Sequence, residues 1–226
     1  MEFKNTKFTI RRSPLDYSKV QPIVSALIRG KKFQSRKAVE TGKKYLNIGC
    51  GANVDKNFIN LDYNWRKGVD ICTDLANGIP LPANYIQGIY SEHCFEHLPF
   101  ALLRNVLMQC HRVMCTGAAI RLVVPDAELY ITRYSEIRSG KKIGFPFVTY
   151  DQIASGEITA MMAVNSMFRD HGHLYAYDFE TLQLLLKECG FVEIQKKSFR
   201  QGIDSRLLID TPSRAVESLY VEAIKV

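Results

Sequence analysis

The sequence predicts an α/β fold built on a largely parallel sheet, and two observations carry that expectation. From Tyr45 onward, short apolar runs alternate with amphipathic helical stretches; this is the grammar of strands joined by crossover helices. The first run leads at once into a glycine pair, "YLNIGCG", and the second ends in an acid, "FINLD". In an open α/β sheet those positions are the carboxyl ends of the strands, where ligands bind.

The elements follow in order. Ser13-Pro14 has the form of a helix start, with Ser as N-cap and Pro in the first turn. Val20, Ile23, Val24, Leu27 and Ile28 then share one face at helical spacing. Gly30 ends that helix, and a second short one leads into Gly42. Strands are expected at "YLNI", "FINLD", "VDICTD", "GIYSE" and "AIRLVVPD". Between the last two, Leu102, Leu103, Val106, Leu107, Cys110, Val113 and Met114 make one apolar stripe, predicting a helix from 99 to about 115. Another helix is expected over 126–139. Residues 140–176 mix Gly, Pro, aromatic and polar residues without a period, so they read as a substrate-side insertion rather than a core element. Asp178 caps a helix whose stripe is Phe179, Leu182, Leu185, Leu186 and Cys189, and Gly190 stops it. "FVEIQKKSF" and "AVESLYVEAIKV" read as closing strands.

Composition narrows the class. Apolar residues make up 46% and charged residues 23%, the balance of a globular protein. No apolar run approaches the ~20 residues of a membrane helix, and the N-terminus shows no apolar core of a secretory leader. The cysteines at 50, 72, 94, 110, 115 and 189 include no Cys-x-x-Cys pair; that argues against a zinc ribbon or disulfide framework and fits a cytoplasmic protein. Charge divides the chain. Residues 1–44 carry twelve Lys/Arg against three Asp/Glu, whereas 45–226 carry eighteen against twenty. The expected organisation is a basic N-terminal helical segment, 1–44, followed by one domain, 45–226. The segment is expected to be solvated and loosely attached; the alternative is a surface for an anionic partner such as RNA, anionic lipid or a charged glycan precursor.

The glycine turn sets the cofactor question. Gly49 and Gly51 let backbone approach a ligand closely, and Asp62 stands where it can accept from two ribose hydroxyls. A dinucleotide site wants Gly-x-Gly-x-x-Gly opening a helix, but the sixth position is Val54 and "NVDKNF" is a poor helix. A triphosphate loop is absent too. S-adenosylmethionine has no phosphate, and the next strands supply what it needs. Asp74 can accept from the adenine amino group with Leu75 packed beside it, and Ser91 and Glu92 stand near the sulfonium end. Over "LNIGCG…NLD…TDLANGIPLP…IYSEHCFEHL…HLYAYDFETLQLLLKECGF" the chain resembles the class I S-adenosylmethionine-dependent methyltransferases, close to methyltransferase type 11. The likeness runs from about residue 45 to the C-terminus. It implies a Rossmann-like fold whose seven-stranded, mainly parallel sheet has an antiparallel last strand. It also implies cofactor roles for Gly49, Gly51, Asp62, Asp74, Leu75 and Ser91. The family usually has an acid two residues before the first glycine; here it is Asn47, so the methionine end falls to Asn47 and Glu92. Only twelve residues separate Gly49 from Asp62, so the usual first helix is shortened or replaced by a loop.

Methyl transfer from a sulfonium is an in-line displacement, and the protein aligns the nucleophile and excludes water. A hydroxyl acceptor benefits from a base; His93, His97, His171 and His173 are the candidates, with His93, His171 and His173 favoured and His111 read as structural. The spacing His93-x-x-Glu96-His97 puts three ligand-capable side chains together. No metal is expected, and the alternative is a divalent ion at His93, Glu96 and His97 with His171 or His173 added. The expected function is methylation of a hydroxyl or amine on a small molecule, a sugar, glycan precursor or secondary metabolite. An RNA methyltransferase, or a partner protein that binds S-adenosylmethionine without catalysis, are the alternatives.

Overall fold

The computed structural model describes residues 17–146 and 158–226. The expected helix start at Ser13-Pro14 and positions 147–157 of the 140–176 segment lie outside the described residues. Seven strands, β1 (Tyr45–Ile48), β2 (Phe58–Asp62), β3 (Ile71–Cys72), β4 (Ile86–Glu92), β5 (Met114–Pro125), β6 (Phe191–Lys197) and β7 (Ser218–Lys225), form one sheet. Its order is β3-β2-β1-β4-β5-β7-β6. The first five strands run parallel to one another, and β7 runs antiparallel to both β5 and β6. The order reverses between β1 and β4, which makes their carboxyl ends the switch point where a crevice opens.

The apolar runs are continuous because the sheet is covered on both faces. Leu46, Ile48, Ile59, Ile89 and Ile120 are fully buried. On one face they meet helix α3 (Phe100–Val113) through Leu103, Val106, Leu107, Cys110 and Val113. Helix α6 (Phe179–Glu188) adds Leu182, Leu185 and Leu186 to the same core. On the other face Tyr45, Phe58, Tyr90, Val123 and Tyr220 pack with Leu207, which comes from the long β6–β7 connection. The caps behave as their side-chain chemistry requires. Asp126 accepts from the Leu129 N–H at the start of α4 (Ala127–Arg138), and Asp178 accepts from the Thr181 N–H at the start of α6. Gly190 closes α6 with a positive φ of 88°.

Three expectations change. The apolar stripe of α1 (Tyr17–Ile28) does not face the core: Val20, Ile23 and Leu27 are more than half exposed. The helix docks instead through polar groups. Buried Ser25 donates to the Gln21 carbonyl and accepts from the Trp65 N–H. The Arg29 guanidinium lies 3.7 Å over the Tyr63 ring. In α2 (Lys32–Glu40), Gln34 accepts from the Cys72 N–H at 2.8 Å and so closes the edge strand β3. The described part of the basic segment is therefore seated on the sheet edge, not loosely attached. Second, the 140–176 segment contains a helix, α5 (Ala160–Arg169), which begins at a Thr159 cap and buries Ala163, Ser166 and Met167. Met167 packs with Ala127 and Tyr130 of α4. Third, β5 starts at Met114, directly after α3, so the last residue of the predicted helical stripe belongs to a strand. The link from β1 to β2 carries no helix, as its length requires.

Candidate active site

The turn after β1 is built on two glycines for different reasons. Gly49 has φ +68°, and a Cβ there would overlap the Cys94 side chain packed against it. Gly51 has φ +52°, and a Cβ there would meet nothing nearer than the Gly49 carbonyl oxygen at 4.0 Å. The turn is tied to β2, because the Leu61 carbonyl accepts from the N–H groups of Gly49 and Cys50. The Asp62 carboxylate takes the Gly51 N–H on one oxygen and the Asn64 N–H on the other, both at 2.8 Å. Each oxygen keeps a lone pair for a ligand. Asp74 caps the turn Leu75–Asn77 by accepting from the Ala76 N–H. A cavity of about 670 Å³ opens among these groups, lined by Gly49, Gly51, Asp62, Asp74 and Leu75 and bounded on the β4 side by His93 and His97. It lies at the carboxyl ends of β1 to β4, beside a seven-stranded sheet whose last strand is reversed.

This is the class I methyltransferase fold. No family model matches the sequence, and no curated protein matches it. Among solved structures, the chain is similar to a SAM-dependent methyltransferase from Archaeoglobus fulgidus, with 16% identity and a TM-score of 0.48 over 90% of this chain and 98% of that one. A SAM-dependent methyltransferase from Thermotoga maritima is 12% identical, with a TM-score of 0.48 over 93% and 94% of the two chains. One from Aquifex aeolicus is 13% identical, with a TM-score of 0.44 over 91% and 98%. At these values the sheet order and the glycine turn, rather than the likenesses, carry the fold.

Within the methyltransferase fold the remaining predicted cofactor residues separate. Asn47 and Glu92 line a neighbouring cavity of about 490 Å³ that shares Gly49, Gly51 and His93 with the first. Asn47 is buried, and its amide donates to the Asn53 carbonyl at 3.0 Å, holding the far end of the glycine loop. Glu92 grips the β6–β7 connection through the backbone N–H and the hydroxyl of Thr211. Ser91 reaches none of these cavities: it is buried and donates to the Ile48 carbonyl at 3.1 Å. Its hydroxyl joins β4 to β1 instead of facing a ligand.

A third cavity of about 470 Å³ shares His93 and His97 with the adjoining spaces and is lined further by Glu96, Tyr130, His171 and His173. His93 stands at a positive φ of 47° at the end of β4, with Nε2 2.8 Å from the Ser218 hydroxyl. Burial, with the Arg214 charge adding to it, depresses the pKa of His93 to about 2. Burial also lowers those of His97 and His173. All three are neutral imidazoles at neutral pH. Glu96 is 1% exposed, and burial pushes its carboxyl up to about 8. Neither of its oxygens has a hydrogen-bond partner. The ligand atoms of Glu96, His97 and His173 lie within 4.8 Å of one another. The structure brings His93, Glu96, His97, His171 and His173 to one cavity.

Sequence reasoning missed Arg214 and Glu217, which line this cavity from the β6–β7 connection. Arg214 also reaches the 490 Å³ cavity, and its Nη1 is buried without a partner. No periodicity marks "DTPSRAVE"; the Glu92 clamp on Thr211 and the Arg121 pair with Asp210 bring the stretch to the site.

Proposed function

We propose that this chain transfers the methyl group of S-adenosylmethionine to a hydroxyl or amine of a small molecule, in the class of sugars, glycan precursors or secondary metabolites. One observation carries the reading: a cavity with a glycine turn and two strand-end carboxylates adjoins a second, polar cavity through a wall made by His93 and His97. In the first, Asp62 would accept from the ribose hydroxyls and Asp74 from the adenine amino group, with Leu75 against the base. The glycine turn leaves room for the thioether, and Asn47 and Glu92 lie toward the methionine end. In the second, the unpartnered Arg214 Nη1 suits an acceptor that carries an anionic group near the methylated atom. His171, exposed at the rim, takes the proton from a hydroxyl acceptor and passes it to solvent.

Calorimetry with S-adenosylmethionine and S-adenosylhomocysteine tests the donor half. Binding in the micromolar range that falls in Asp62→Ala is expected; no binding at millimolar donor sinks the reading. A screen of anionic and neutral hydroxyl or amine acceptors, read by release of S-adenosylhomocysteine, tests the rest.

A further inference from the structure

We propose that Glu96, His97 and His173 form a binding site for one divalent transition-metal ion of the zinc class, with its open coordination position toward the 470 Å³ cavity. Glu96 Oε1 lies 3.9 Å from Nε2 of His97 and 3.9 Å from Nε2 of His173. The other ring nitrogens settle the tautomers. His173 Nδ1 is 2.6 Å from the Met167 carbonyl oxygen, and His97 Nδ1 is 3.3 Å from that of Gly172. A carbonyl only accepts, so both Nδ1 atoms carry the hydrogen and both Nε2 atoms present a lone pair. Two imidazole lone pairs and a carboxyl oxygen thus converge with no hydrogen bond between them. The carboxylate is 1% exposed and lacks any hydrogen-bond partner. A separation of 3.9 Å is too long for a shared proton. It is close to what a shared ion needs, since ligands about 2.0–2.1 Å from a tetrahedral metal stand about 3.4 Å apart.

The surroundings fit a built site. The carbonyls of Met167 and Gly172 orient the two rings from behind, as outer partners of metal-bound histidines do. His173 comes from a segment far along the chain from Glu96, and that segment is fastened there: the Glu96 carbonyl accepts from the N–H groups of Leu174 and Tyr175. His93 Nδ1 stands 3.6 Å from the same Glu96 oxygen. Two imidazoles with one carboxylate favour Zn²⁺, Fe²⁺, Co²⁺ or Mn²⁺ over Mg²⁺ or Ca²⁺, and three protein ligands leave a position open. Holding an acceptor oxygen at that position would be the ion's use, and this role rests on the methyltransferase reading; ion binding does not.

The test uses the full chain, stripped with a chelator and titrated with Zn²⁺ and Co²⁺ by calorimetry and visible absorption. One ion per chain is expected, with Co²⁺ bands that a chelator abolishes. Affinity is expected to fall about 100-fold or more in Glu96→Gln and in His97→Ala/His173→Ala, and to persist in His111→Ala, which lies on α3 outside the cluster. Circular dichroism follows folding. Because the Co²⁺ spectrum of the unaltered chain reports imidazole ligation by itself, a variant that fails to fold does not leave the question open. No uptake by the unaltered chain, or uptake unchanged in the folded Glu96→Gln protein, overturns the proposal. Donor binding is measured separately, so loss of one reading leaves the other standing.

Discussion

Asp62 holds two backbone N–H groups and still offers lone pairs to a ligand. Its replacement by Ala is expected to lower donor affinity roughly tenfold to hundredfold, because charge-assisted hydrogen bonds are worth about 1.5–3 kcal/mol each; calorimetry reads the change. Asn47 makes the opposite case. Its amide N–H is what the Asn53 carbonyl needs, and a carboxylate there has no hydrogen to give. Asn47→Asp, which restores the acid usual in the resembled family, is expected to destabilise the protein by about 1–3 kcal/mol at neutral pH without tightening donor binding. A denaturant midpoint that does not move would remove the loop-holding role. Asp62 was legible in the sequence because an acid that ends an apolar run sits at a strand's carboxyl end. The direction of Ser91 was not: a small hydroxyl fits both a ligand and the neighbouring strand, and only packing selects the Ile48 carbonyl.

At the scale of elements, one hydroxyl takes a direct part in docking α1. Ser25→Ala leaves the Trp65 N–H without its acceptor and is expected to cost about 1–3 kcal/mol, read by thermal unfolding. Asp178 at the head of α6 links stability to pH. Its hydrogen bond from Thr181 holds the carboxyl pKa below its usual value. Its contribution is therefore present above the ordinary carboxylate range and is lost as pH falls through the lowered folded value. Asp178→Ala is expected to cost about 1 kcal/mol at pH 7, and the gap should close in strong acid. A gap that holds constant through acid would mean the cap is not ionised in the folded protein. Helices with large apolar residues at regular spacing, α3 and α6, were legible. Helix α5 was not, because it buries Ala163, Ser166 and Met167, two of them small and one polar, while its larger Met161 points outward. The stripe on α1 was legible as a helix but misleading as to its face, since polar groups on the sheet edge decide how it sits.

Across the whole molecule, stability and site meet at Arg121. This side chain is fully buried in β5 and donates to Asp210 at 2.6 and 2.8 Å and to Glu222 at 2.8 Å. It also donates to the carbonyls of Ser198 and Gln201. The arrangement fastens the β6–β7 connection, which carries Thr211 to Glu92 and Arg214 to the cavities. Arg121→Met would leave two buried carboxylates without their cation, an expected loss of about 3–5 kcal/mol. Against a total of about 5–15 kcal/mol, much of the margin would be gone, and donor binding should weaken before the chain unfolds. Retained donor affinity in a folded, destabilised variant would separate the connection from the site. The sheet was legible at this scale through its alternating runs. The path of the connection was not, because it is set by charge pairs between residues far apart in sequence.

His93 borders all three large cavities on this face. A molecule that moved that ring from one chamber would alter the shape of the others. If the chambers hold the proposed donor and acceptor, thermodynamic reciprocity would apply: whatever factor the donor imposes on acceptor affinity, the acceptor imposes on the donor. One imidazole would so make the two halves of the reaction sense each other before any bond is broken.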